Sequence, residues 1–94
     1  MKASTLSEQE INEIAERFEL NCKLLGYTPK GKLLTNDEAA EICRFQPNTL
    51  EQKRLNGTGP AYFQPKGTRS IRYSEPVLVD WYASGYCANT NAAA

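Results

Sequence analysis

The sequence predicts a mainly α fold carrying one small β-hairpin, on three observations. Ser7 and Thr35 are each followed three residues later by a glutamate, the reciprocal capping pair that satisfies free amides at a helix start. Apolar residues recur at three- and four-residue steps between Ile11 and Leu25. The stretch "AYFQPKGTRSIRY", residues 61–73, sets two short aromatic and β-branched runs about proline–glycine turn chemistry.

The first helix opens at Ser7 with Glu10 as its capping partner. Ile11, Ile14, Ala15, Phe18, Cys22 and Leu25 form one apolar stripe over about five turns, and Gly26 ends it. Glu8, Glu13, Glu16, Glu19 and Lys23 fall on the opposite face. The stripe must cover either the rest of the chain or a second copy. "YTPKGK", residues 27–32, is a turn-rich linker. Thr35 with Glu38 then opens a short helix through "DEAAEIC", and "RFQPN" interrupts it. Pro47 suits the first turn of the next helix, where its missing amide costs nothing. That helix, "NTLEQKRL", runs until Gly57 and Gly59 stop it. Two short helices across a tight turn make a helix-turn-helix candidate. The hairpin follows, with a basic tip and a basic returning strand. Ser74 caps a last helix, "EPVLVDWYASG", in which Val77, Leu78 and Trp81 are spaced to pack inward. "NTNAAA" has nothing to bury and reads as frayed.

Helix, helix-turn-helix, basic hairpin, helix is the plan of a winged helix-turn-helix preceded by an N-terminal amphipathic helix. Its recognition helix enters the major groove, and its wing lies along phosphates or in the minor groove. The expected division is 1–31 for the amphipathic helix and linker, 32–87 for the DNA-binding domain and 88–94 for a flexible tail.

Composition narrows the function. With 94 residues, 40% of them hydrophobic, the chain supports one modest core. No apolar run approaches the ~20 residues needed to cross a bilayer, and "MKASTLSEQE" lacks the apolar centre of a signal peptide. The expected location is cytoplasmic. Cys22, Cys43 and Cys87 are odd in number and widely spaced, and there is no histidine. That fits neither a disulfide scaffold nor a zinc site, so the cysteines read as buried, reduced, small apolar side chains. Without histidine a Ser-His or Cys-His nucleophile is excluded, and no glycine loop matches a phosphate cradle. Asp37 and Glu38 are sequence neighbours at a helix start, a capping position rather than a facing carboxylate pair. The chain is read as a non-enzyme with no cofactor and no metal.

The formal net charge is zero, yet the charges are unevenly placed. Between Leu50 and Tyr73 a single acid, Glu51, stands against Lys53, Arg54, Lys66, Arg69 and Arg72. A local field matters more at a binding surface than the total.

Residues 33–85 resemble the small excisionase and AlpA-type DNA-binding domains of the MerR-like winged helix-turn-helix group. The resemblance rests on Thr35, Ala39, Ala40, Pro47, Thr49, Leu50, the run Gly57 to Pro60, Gly67, the run Ile71 to Tyr73, and Trp81, in order and spacing. Two positions depart from it. Arg44 stands in the turn where the family usually has a small residue, often glycine, and Lys53 stands where the recognition helix usually has tryptophan. The resemblance implies a sequence-specific DNA-binding protein of a phage or other mobile element. Such a protein acts as an excisionase, a transcriptional regulator or both, beside an integrase or further copies of itself. The first helix lies outside the resemblance.

Asn48, Thr49 and Gln52 lie on the first turns of the expected recognition helix. Asn and Gln amides can each pair with adenine's two major-groove groups; the alternative for Asn48 and Thr49 is that they satisfy the helix start. Lys53 and Arg54 are expected at phosphates, Arg54 with the added weight of the resemblance. The resemblance also favours Arg72 and the tip residues Lys66, Thr68 and Arg69 as contacts, with Tyr73 closing the core; the alternative is a solvated charge cluster. About five basic contacts imply a salt slope near −4 to −5. One small module buries at most about 1,000 Å², so occupancy of a specific site calls for several copies, a DNA bend or a protein partner. A competing reading is a protein-interaction module with little DNA binding, supported by the neutral total charge, Lys53 in place of tryptophan, and the acidic first helix.

Overall fold

The computed structural model describes residues 6–86. Four helices follow one another: α1 (Glu8–Leu25), α2 (Asn36–Cys43), α3 (Pro47–Leu55) and α4 (Glu75–Ala83). Both capping boxes form. Ser7 Oγ accepts from the Glu10 amide at 3.1 Å while Glu10 Oε1 accepts from the Ser7 amide at 2.8 Å. Thr35 Oγ1 and Glu38 repeat the exchange at 3.1 and 2.9 Å. Gly26, at φ 68°, turns the chain so that the Tyr27 amide reaches the Cys22 carbonyl at 2.9 Å. Among the described residues no helix is long and apolar enough to cross a membrane.

α1 lies along α4, and the seam is partly polar. Ile14, Asn21 and Cys22 are buried, whereas Ile11 is 51% exposed and Ala15 is also exposed, so the covered face is narrower than the apolar stripe. Asp80 on α4 accepts from Arg17 Nε at 2.8 Å, Arg17 Nη2 at 3.0 Å and Asn21 Nδ2 at 2.8 Å. The Arg17 guanidinium, aided by Asn21 and opposed by burial, holds the Asp80 carboxyl below its usual range. Asn21 sits seven residues after Ile14, on the helix face where the spacing alone would have placed an apolar side chain.

The core lies on the other side of α4. Leu34, Ala39, Ala40, Leu50, Tyr73 and Leu78 are fully buried there with Cys43, and Phe45, Tyr62, Ile71 and Trp81 close over them. Leu34 and Tyr73 exchange both backbone hydrogen bonds at 2.8 Å, which joins the strand of chain entering α2 to the one entering α4. Trp81 meets Phe45 edge to face, with centroids 6.4 Å apart. Cys22 and Cys43 are buried free thiols, as their spacing suggested; Cys87, the tail at 88–94 and the extreme N-terminus lie outside the described residues.

The segment 27–31 is less of a free linker than its composition implies. Glu75, 5% exposed at the start of α4, accepts from the amides of Lys30 at 2.7 Å and Gly31 at 2.9 Å and from the Tyr27 hydroxyl. One carboxylate thereby ties the α1–α2 connection to α4.

The expected β-hairpin does not form, and with it the winged helix-turn-helix architecture is overturned. In place of two strands the described residues contain two isolated antiparallel bridges, Leu34 with Tyr73 and Phe63 with Arg72. Phe63 and Arg72 exchange backbone bonds at 2.8 and 2.9 Å, and pairing stops there. Pro60 and Pro65 bring no amide to a ladder. Polar side chains take what the ladder would have used: Thr68 Oγ1 donates to the Pro65 carbonyl at 2.8 Å, and Gln64 Nε2 donates to the Thr68 carbonyl at 3.0 Å. Residues 56–72 are a side-chain-braced loop.

Arg44 ends α2 at φ 63°, the one non-glycine residue with positive φ among those described. Its amide and that of Phe45 return to the last carbonyls of α2, Phe45 to Ala40 at 2.8 Å. The left-handed conformation costs an L-residue about 1–2 kcal/mol, and glycine adopts it freely at an entropic cost of about 0.5–1 kcal/mol in the unfolded chain. Arg44→Gly is therefore expected to stabilise by about 0.5 kcal/mol and raise the melting temperature by roughly 2–4 °C. A lowered melting temperature would show that the Arg44 side chain has a stabilising contact outweighing the strain.

Candidate nucleic-acid interface

α3 buries one residue, Leu50; Lys53 and Arg54 are half-buried, and its other residues are exposed. At about 100° per residue, Asn48, Gln52 and Leu55 share the side opposite Leu50. All three are exposed, Leu55 by 69%, with Thr49 and Glu51 exposed on either flank. The side chains of Asn48, Thr49 and Gln52 form no hydrogen bond with any described residue. Gln46, the N-cap, gives no side-chain bond either; its carbonyl receives the amides of Thr49 and Leu50 at 2.9 and 3.2 Å. Two primary amides and an exposed leucine thus form a stripe one helix wide. Leu55 is the member that sequence reasoning missed, although its place seven residues after Asn48 was readable.

Lys53 and Arg54 lean the other way. Lys53 Nζ lies 5.5 Å from the centre of the Phe45 ring. Its backbone is covered by the following turn, where a Cβ on Gly59 would come within 3.2 Å of Lys53 Cβ. Arg54 Nη1 donates to Asn36 Oδ1 at 3.1 Å and approaches the Tyr73 hydroxyl at 3.4 Å, with its guanidinium carbon 5.8 Å from the Tyr62 ring centre. Asn36, the first residue of α2, carries no local sequence signal for this contact; its partners are eleven and eighteen residues away.

The loop 56–72 begins on the end of α3, where the Thr58 and Gly59 amides reach the Lys53 carbonyl at 2.9 and 3.2 Å. Its tip is set by Gly67 at φ 74° and by the Thr68 bonds to Pro65. Thr68 spends its hydroxyl proton on that turn. Lys66 and Arg69 are exposed and form no hydrogen bond or ion pair with any described residue; Arg72 is half-buried and donates to the Ile71 carbonyl at 2.9 Å. Arg69 borders the same groove as Glu51, Arg54 and Leu55, so the loop stands beside the C-terminal half of α3. Asn48, Thr49 and Gln52 lie outside that groove, and Lys66 remains at the tip.

Residues 52–74 contain five cations and no acid. The two ion pairs among the described residues, Arg17–Asp80 and Lys32–Glu38, lie elsewhere. The result is a positive surface segment beside the C-terminal half of α3, bordered there by Glu51 and Leu55. No family model, curated protein or solved structure matches this chain.

Proposed function

We propose that the protein binds double-stranded DNA sequence-selectively, with the outward stripe of α3 against base edges in the major groove and the loop 56–72 against phosphates. The observation that carries this reading is a pair of unpartnered amides, Asn48 and Gln52, on the exposed side of a helix whose C-terminal half borders an acid-free loop, in which Lys66 and Arg69 have no partner among the described residues. Four residues apart on a helix, Asn48 and Gln52 are separated by about 6 Å along its axis, close to two base steps of about 3.4 Å. Each amide offers a donor and an acceptor to an adenine, and the Leu55 methyl groups suit a thymine methyl. Thr49 flanks the stripe, and Lys53, drawn toward the Phe45 ring, supplies part of the phosphate contact. The resemblance of residues 33–85 supports placing the protein in a phage or other mobile element, as an excisionase, a transcriptional regulator or both, beside an integrase.

Selection from a randomised duplex pool tests this. The wild type is expected to enrich a short motif, and Asn48→Ala and Gln52→Ala are each expected to relax one position of it by about 1–3 kcal/mol while leaving affinity for random DNA unchanged. A folded wild type that enriches no sequence would overturn the selective part of the proposal.

A second reading, a protein-interaction module, is favoured by one observation. Leu24, Phe45, Trp81, Tyr82 and Tyr86 line an apolar groove, with Tyr86 69% exposed. A pure interaction module would show no salt-sensitive DNA retention.

A further inference from the structure

We infer that Arg54 is a positioning residue, which with Asn36 sets the angle at which α3 presents Asn48 and Gln52, rather than a phosphate contact. The inference rests on the DNA-binding reading above and deepens it.

Asn36 touches both ends of the helix. Its Nδ2 donates to the Pro47 carbonyl in the first turn of α3 at 3.1 Å, and its Oδ1 accepts from Arg54 Nη1 of the last turn at 3.1 Å. The same guanidinium nitrogen approaches the hydroxyl of Tyr73, a residue with no exposed surface and with its backbone locked to Leu34. The guanidinium carbon also lies over the Tyr62 ring, 5.8 Å from its centre. α3 buries a single side chain of its own, Leu50. One buried knob fixes a short helix at a point and leaves its rotation about that point open. The Asn36–Arg54 brace contacts α3 on both sides of Leu50 and removes that freedom. A guanidinium so engaged is withdrawn from the outward stripe, which lies on the opposite side of the helix. Arginine suits the task because its planar fork bonds and stacks at once; lysine keeps the charge without that geometry.

The test uses the full chain with R54M, R54K, N36A and the double variant N36A/R54M. The first readout needs no DNA. In thermal and denaturant unfolding, N36A and R54M are expected to be non-additive, with a coupling of about fivefold in the unfolding constant. The second readout is the salt slope on a random-sequence duplex, expected to stay within about 0.3 of wild type in R54M, whereas loss of a phosphate contact would reduce it by about 0.9. The third is the motif enriched from a randomised pool, expected to blur in R54M, R54K and N36A alike. Additive unfolding effects would overturn the brace. A slope reduced by about 0.9 in R54M, restored in R54K with the motif unchanged, would return Arg54 to the phosphates. A wild type that binds no DNA would sink the DNA-binding reading, and the unfolding cycle would still decide whether Arg54 and Asn36 act as one unit.

Discussion

Glu75→Ala is expected to lower the unfolding free energy by about 3 kcal/mol and the melting temperature by roughly 15 °C. The carboxylate gathers the Tyr27 hydroxyl and the Lys30 and Gly31 amides in one buried place. Removing it leaves three donors without an acceptor and frees the α1–α2 connection from α4. Glu75→Gln keeps the shape but not the charge and is expected to cost about half as much. A drop of under about 3 °C for the alanine variant would show that water replaces the carboxylate.

The same contacts give stability a pH dependence of known sign. Burial works against ionisation of Glu75, but the bonds from Tyr27 and the backbone amides of Lys30 and Gly31 prevail, and its carboxyl sits below the usual range. Its stabilisation is therefore complete above the ordinary carboxylate value of about 4.3 and is lost as pH falls through the lower folded value. Burial and the bond to Glu75 push the Tyr27 hydroxyl up, and burial pushes the Cys43 thiol up to about 11. Those contributions are present below their ordinary values and are lost as pH rises. Melting temperature should be flat from about pH 5 to 8 and fall on both sides, with a shallower acid limb in Glu75→Gln.

Changing Lys66, Arg69 and Arg72 together to Ala is expected to abolish most of the salt dependence of DNA binding. At about 0.9 per phosphate neutralised, these three with Lys53 acting in part make wild-type affinity fall about 60-fold between roughly 50 and 200 mM salt, and the variant, left with Lys53, should fall about fourfold or less. The loop itself should persist. It is held by Thr58 and Gly59 on the Lys53 carbonyl, by Thr68 on Pro65 and by the Phe63–Arg72 bridge, all backbone or uncharged bonds. The melting temperature should therefore move by no more than about 3 °C. A large loss of stability would instead assign the cations to the fold.

The helices were legible because their signals are local. Ser7 with Glu10, Thr35 with Glu38, Pro47 and Ser74 each mark a helix start within a few residues of the start itself, and all four act there in the structure. The hairpin was misread because "AYF" and "SIRY" have strand composition, while the ladder depends on amides that Pro60 and Pro65 lack and on side chains of Gln64 and Thr68 that compete for the backbone. The site was half legible. Which residues face outward on α3 follows from where Leu50 points, and its periodicity was readable. That Arg54 turns inward was not, because its partners Asn36, Tyr62 and Tyr73 come from three other segments. Burial of Asn21 and Glu75 was hidden for the same reason: each polar group is satisfied by residues far along the chain.

Fluorescence anisotropy of the full chain with a random-sequence duplex, across about 50 to 300 mM salt, tests the central claim most directly. The account predicts measurable binding at the low end that weakens along a log–log slope of about −3, the value for Lys66, Arg69, Arg72 and Lys53 acting in part. A protein with a cooperative melt that shows no binding at the lowest salt, or binding indifferent to salt, would contradict it.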